Sequence, residues 1–280
     1  MADPLVSTDW LAERLGRPDV QVVDASWYMP ADRRDPAAEF AAGHIPGAVF
    51  FDIDALSDRA SDLPHMLLSP EAFAQAVGQL GLRREATIVV YDGAGLFSAP
   101  RVWWTLRVMG FPKVAVLDGG LPKWRAEGRP VETGAARPAP VALSASFEPD
   151  LVRDLAFVRQ AVASGEAQLV DARGAPRFRG EAPEPRPGLR SGHMPGAKNL
   201  PFNLLVAPDG TMQGAGEIRA AFEAAGVDLD RPIVTTCGSG VTASVLALGL
   251  ARLGLDRIPV YDGSWGEWGA QADTPVAVGP

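Results

Sequence analysis

Ile233-Val234-Thr235-Thr236-Cys237-Gly238-Ser239-Gly240-Val241-Thr242 is a short β-type run, then the chain's sole cysteine on a loop of small residues, then the approach to a helical pattern. A thiol placed between strand and helix is a nucleophile candidate, because backbone N–H groups and a helix N-terminus aimed at sulfur favour the thiolate. Gly238 and Gly240 give such a loop the freedom to curl around one atom. Free cysteine more often serves as a small buried hydrophobe. The flanking glycines tip the reading toward a nucleophile.

The strand-loop pattern occurs a second time. Ile88-Val89-Val90-Tyr91-Asp92-Gly93-Ala94-Gly95 aligns with Ile233 to Gly240, and three further pairs keep the same order at a spacing of about 145 residues. Val22-Val23-Asp24-Ala25 matches Leu169-Val170-Asp171-Ala172, and Gly43-His44-Ile45-Pro46-Gly47-Ala48 matches Gly192-His193-Met194-Pro195-Gly196-Ala197. Val116-Leu117-Asp118-Gly119-Gly120 matches Val260-Tyr261-Asp262-Gly263-Ser264. A period of that length is a duplicated domain rather than a solenoid repeat. Asp92 holds the cysteine's place in the first copy. A carboxylate cannot be a sulfur nucleophile, so only the second copy is expected to react at sulfur.

Within each copy short apolar runs alternate with helical patterns, which predicts an α/β domain with a mainly parallel sheet flanked by helices. Ser69-Pro70-Glu71 supplies an N-cap and a proline at the first helical position, and Phe73, Val77 and Leu80 give an apolar stripe that Gly81 ends. Ile218, Phe222 and Ala225 repeat that face before Gly226, and Val241, Val245 and Leu248 precede Gly254. From Glu127 to Pro149 proline, glycine, alanine and serine dominate, the mark of an irregular linker or wrap. The expected division is a non-catalytic domain over 1–135, a linker over 136–150 and a catalytic domain over 151–280.

Composition narrows the function class. The chain has 280 residues, 47% hydrophobic and 21% charged, with a formal net charge of -8. That is the balance of a soluble globular protein. Its sign argues against a broad nucleic-acid or anionic-membrane surface and leaves a focused basic pocket as the place for a small anion. The N-terminus lacks the basic and apolar regions of a secretory signal, and no stretch approaches a membrane span. One cysteine excludes an internal disulfide, and neither Cys-x-x-Cys nor paired histidines offer a metal cage. A cytoplasmic protein with a reduced thiol and no metal or cofactor is expected.

Loop length separates two chemistries. A cysteine phosphatase needs an arginine six residues after the nucleophile to hold phosphate; that position is Ala243. A smaller target atom, such as sulfur, fits better. Ser239 offers a hydroxyl for proton handling or for a loop hydrogen bond. The segment from Arg177 to Arg190 carries four arginines, Arg177, Arg179, Arg186 and Arg190, whose planar forks suit a carboxylate. They are equally able to pair with Glu181 and Glu184 on a solvated surface. Asp54 and His65 read as ordinary loop residues. His44 and His193 occur in both copies, which favours a structural role, and the tryptophans read as core or domain-interface anchors.

Several motifs in order carry a family resemblance: Asp24-Ala25-Ser26-Trp27-Tyr28, His44-Ile45-Pro46-Gly47, Ser98-Ala99-Pro100-Arg101-Val102-Trp103-Trp104, Arg177 to Arg186, Cys237 to Thr242, and Tyr261-Asp262-Gly263-Ser264-Trp265. Over nearly its whole length the chain resembles two-domain sulfurtransferases of the rhodanese superfamily, on the 3-mercaptopyruvate-using branch. The resemblance implies tandem rhodanese-like domains, the first inactive and the second catalytic, with the site in the cleft between them. It implies Cys237 as the sulfur-accepting nucleophile, with Arg177 and Arg186 on the donor's carboxylate and keto group. It also implies that Gly238, Gly240, Val241 and Thr242 bind the substrate through the cysteine loop, and that Ser239, His65 and Asp54, the last two from the first domain, are the proton-handling set. The implied partners are a small-molecule sulfur donor and a thiol acceptor such as thioredoxin, with the chain a monomer. Thiosulfate-preferring members carry basic side chains right after the cysteine, where this chain has Gly238 and Ser239. A thiosulfate:cyanide sulfurtransferase and a non-catalytic persulfide carrier are the competing functions.

Overall fold

A computed structural model of the protein describes residues 3–136 and 138–280. By its contacts the chain divides into two compact units. One comprises Met1–Asp58, Leu67–Glu148 and Ala207–Met212; the other comprises Arg59–Met66, Pro149–Val206 and Gln213–Pro280.

The first unit is built on strands β1 (Leu5–Val6), β2 (Val20–Asp24), β3 (Ala48–Phe50), β4 (Thr87–Tyr91) and β5 (Val114–Leu117). They pair in the order β1-β5-β4-β2-β3, all parallel. Helices α1 (Thr8–Ala12), α2 (Pro36–Ala42), α3 (Pro70–Gln79), α4 (Ala99–Val108) and α5 (Gly120–Ala126) make the connections. Ile88, Val89, Val90 and Tyr91 are all fully buried, the near-continuous apolar run of a strand covered on both faces. Ser69 caps α3 by accepting the Ala72 N–H at 3.2 Å, with Pro70 at the first helical position. The irregular stretch up to Glu148 wraps back onto this unit: Val141 donates to the Gly78 carbonyl and Glu148 to that of Val108. Gly78 is required there, because a Cβ would lie 2.5 Å from the Val141 oxygen.

The second unit repeats the plan with β6 (Val152–Arg153), β7 (Gln168–Asp171), β8 (Lys198–Asn199), β9 (Ile233–Thr236) and β10 (Val260–Tyr261), and with α6 (Leu155–Ser164), α7 (Ala175–Phe178), α8 (Ala215–Ala224), α9 (Ala243–Arg252) and α10 (Ser264–Trp268). The order β6-β10-β9-β7-β8, again all parallel, matches the first sheet strand for strand. Residues Ala243 to Ala251 of α9 are all buried, as expected of a helix that is apolar all round. Its first turn begins two residues beyond Val241, which belongs to the loop.

The duplicated histidines are structural in both units. His44 Nδ1 bonds the Phe40 carbonyl at 2.7 Å and His193 Nδ1 that of Phe178 at 2.8 Å. Each ring stacks on that same phenylalanine at 3.8 Å between centroids. Trp103, Trp104 and Trp124 are buried in the first unit and Trp265 and Trp268 in the second. Among the described residues no helix is long and apolar enough to cross a membrane.

Candidate active site

Cys237 leaves the C-terminal end of β9, the middle strand of its sheet. Ligands gather at that edge in open parallel sheets. Its backbone is pinned from the first turn of α10. The Cys237 N–H donates to Ser264 Oγ at 3.2 Å, and its carbonyl accepts from Trp265 N at 2.9 Å. Gly266 N donates to the Gly238 carbonyl, also at 2.9 Å. Ser264 does this from a left-handed backbone, φ 52°, a conformation that costs an L-residue free energy and persists only where its surroundings enforce it. Cys237 and Ser239 are 2% and 6% exposed.

The first unit has a related loop, one residue longer, at the matching strand end. Asp92 stands at the matching strand end, and its carboxylate collects five backbone N–H groups. Ala94 and Gly95 donate to one oxygen at 2.9 and 2.8 Å. Phe97, Ser98 and Ala99 donate to the other at 2.8–2.9 Å. The loop is thus a cradle of converging donors, which one unit fills with its own anion. In the second unit a thiol replaces the carboxylate. Among the described residues no oxygen accepts from the N–H groups of Gly238 to Thr242.

His65 belongs to the second unit through the segment Arg59–Met66. Its Nδ1 lies 3.0 Å from Ser239 Oγ. The ring is 5% exposed and the backbone is left-handed, φ 61°. Gly266 lets α10 lie close to the cysteine loop, since a Cβ there would stand 3.1 Å from the Gly238 oxygen; Pro64 of the His65 segment lies at ordinary contact distance, 3.7 Å. Asp54 stands in the first unit, where its carboxylate accepts from Trp27 Nε1 at 3.0 Å.

Arg177, at the end of the short helix α7, aims its guanidinium at the cysteine loop: a Cβ on Gly238 would be 3.1 Å from Nη2. It is held there by Glu184, with Nη2 to Oε2 at 2.5 Å and Nε to Oε1 at 3.3 Å. The Glu184 side chain is 1% exposed and also binds Arg173 at 2.8 Å. Arg173 in turn forks onto Asp171, and its guanidinium lies 4.4 Å over the Trp265 ring. Burial works against the charge on Arg173, but Asp171 and Glu184 more than offset it and hold the guanidinium above its ordinary range. The chain Asp171–Arg173–Glu184–Arg177 is therefore a buried scaffold, unlike the solvated pairing anticipated for Glu184. Arg179 with Glu181 does form such an exposed pair at 2.9 Å. Arg190 is structural, donating to the carbonyls of Trp268, Gly269 and Thr274. Arg186 follows Glu184 by two residues and is half-buried.

Sequence reasoning missed Arg173, Glu184 as a buried anchor, and Ser264. For two of them the signal was available where the copies differ: Asp24-Ala25-Ser26 against Asp171-Ala172-Arg173, and Gly119-Gly120 against Gly263-Ser264.

Comparison with known proteins agrees with this architecture. The rhodanese-like domain model matches residues 7–127 and again 154–271. A 3-mercaptopyruvate sulfurtransferase of Escherichia coli strain K12 is 48% identical over 97% of this chain and 96% of its own. A mitochondrial thiosulfate/3-mercaptopyruvate sulfurtransferase of Arabidopsis thaliana is 46% identical over 98% of this chain and 78% of its own. Among solved structures, SseA from Escherichia coli, one of the 3-mercaptopyruvate sulfotransferases, superposes with a TM-score of 0.88 at 44% identity, covering 94% of this chain and 99% of that one.

Proposed function

The chain belongs to the rhodanese-like family, and from that premise we propose that it is a sulfurtransferase that takes sulfur from 3-mercaptopyruvate onto Cys237, releases pyruvate, and passes the sulfur to a thiol or to cyanide. The observation that carries this reading is the paired loop. One copy wraps five N–H groups around a carboxylate, and the other carries a thiol at the matching strand end, on a loop one residue shorter.

The donor carboxylate lies against the forks of Arg177 and Arg186, with the donor sulfur over Cys237 in near-attack position. The thiolate attacks that sulfur. A sulfur–sulfur bond forms, the carbon–sulfur bond breaks, and its electron pair leaves as the enolate of pyruvate, which takes up one proton. Loop N–H groups stabilise the thiolate and then the persulfide. Ser239, bonded to His65, supplies or relays the proton, with Asp54 the third member of the set. Attack by an acceptor thiolate on the outer sulfur restores Cys237. A dithiol protein such as thioredoxin is the acceptor that fits a cytoplasmic enzyme.

The test is pyruvate release from 3-mercaptopyruvate by the wild type and by Cys237→Ser. Abolished turnover in a folded variant is expected; retained turnover overturns the assignment.

A further inference from the structure

Arg177 is assigned above to the donor's carboxylate, yet it is already bonded twice to Glu184. That carboxylate is itself buried and clamped from behind by Arg173, whose other acidic partner is Asp171. Arg177, with its side chain 27% exposed, is the outermost member of the chain. Its fork is therefore rigidly aimed while its positive charge is largely offset. A guanidinium so arranged still reads planar carboxylate geometry, but it makes a shallow well for additional negative charge.

We propose that Glu184 is a specificity-determining residue: by neutralising Arg177 beside the Cys237 loop, it favours a monoanionic donor such as 3-mercaptopyruvate over a dianionic one such as thiosulfate. This rests on the functional reading given above for Arg177. Removing one negative charge roughly 7 Å from the donor, at an effective dielectric of about 35, favours the second charge of a dianion by about tenfold. Glu184 acts through Arg177 and through the local potential, without touching sulfur.

The experiment compares kcat/KM for 3-mercaptopyruvate and thiosulfate in the wild type, Glu184→Gln and Glu184→Asp. Glu184→Gln keeps the acceptor oxygen but loses the charge, and it should move the donor ratio about tenfold toward thiosulfate. Glu184→Asp keeps the charge but shortens the reach. It should lower both rates and leave the ratio within about threefold of wild type, whereas a purely geometric role would move the ratio in both variants alike. An unmoved ratio in a folded Glu184→Gln, or equal movement in both variants, overturns the proposal. If a thermal melt finds Glu184→Gln unfolded, the wild-type inhibition comparison that follows carries the test. The wild type alone adds an arm: pyruvate must inhibit more tightly than sulfate at equal ionic strength, and the reverse order overturns the proposal.

Failure of the functional reading is seen separately, as a wild type that releases no pyruvate. In that case the potential is still read by alkylation of Cys237. The rate with iodoacetate relative to iodoacetamide should rise in Glu184→Gln and stay at the wild-type value in Glu184→Asp. No rise overturns the proposal.

Discussion

Ser264 is where backbone strain and loop anchoring meet, and two substitutions separate them. Its hydroxyl accepts the Cys237 N–H at 3.2 Å and donates to the Tyr261 carbonyl at 2.8 Å, fully buried. Removing it leaves a buried donor and a buried carbonyl short of partners, a loss of about 2 kcal/mol. The residue also sits at φ 52°, which costs any side chain with a Cβ about 1 kcal/mol and glycine almost nothing. The sister unit uses Gly120 at the matching place, with φ +55°. Ser264→Ala therefore loses the hydroxyl and keeps the strain, while Ser264→Gly loses the hydroxyl and relieves it. Urea unfolding should find the glycine variant more stable than the alanine variant by about 1 kcal/mol, the reverse of the usual order in a regular element. Both variants release the Cys237 amide, so pyruvate formation should fall to a similar extent in each. The reasoning is refuted if alanine is at least as stable as glycine, or if either variant keeps wild-type turnover.

Asp92→Asn should destabilise the protein by about 3 kcal/mol, because a charged acceptor of five backbone N–H groups is replaced by a neutral amide; a loss below about 1 kcal/mol in urea titration would contradict the cradle. Burial first, then the neighbouring Asp154 and Asp262, raises the Glu267 carboxyl above its ordinary range, against the lowering effects of Tyr261 and Arg159. The native state then prefers the protonated form. Its contribution to stability is complete below the unfolded value of about 4.3 and is lost as pH rises through the folded one. Glu267→Gln, which imitates the protonated form, should gain stability relative to wild type as pH rises from about 4 toward neutrality. Parallel stability–pH curves for the two proteins would sink that expectation.

The architecture was legible because duplication wrote it twice: the pairs around Asp24, His44, Asp92 and Asp118 recur in order, and both sheets carry the same strand order. Cys237 stood out through its glycine neighbours and its alignment with Asp92. What the chain could not disclose was partnership across distance. Glu184 and Arg177 are seven residues apart on a proline-broken segment, where no periodicity says which arginine meets which carboxylate. Whether Glu184 was solvated or buried depended on Arg173, eleven residues upstream. His65 and Ser239 meet across 174 residues, a contact set by tertiary packing and by a left-handed backbone at His65, a conformation histidine tolerates better than most residues but which its neighbours in sequence do not announce. The strain at Ser264 was equally hidden, since only its glycine counterpart in the first copy hints at the required backbone.

The most direct measurement is a single turnover of the wild type with 3-mercaptopyruvate, reading pyruvate and the intact mass of the protein together. Pyruvate should appear in equal amount to enzyme while Cys237 gains one sulfur atom, and a thiol acceptor should remove that atom and return the original mass. Pyruvate released with no sulfur on Cys237, or sulfur gained without pyruvate, would contradict transfer from 3-mercaptopyruvate through this cysteine.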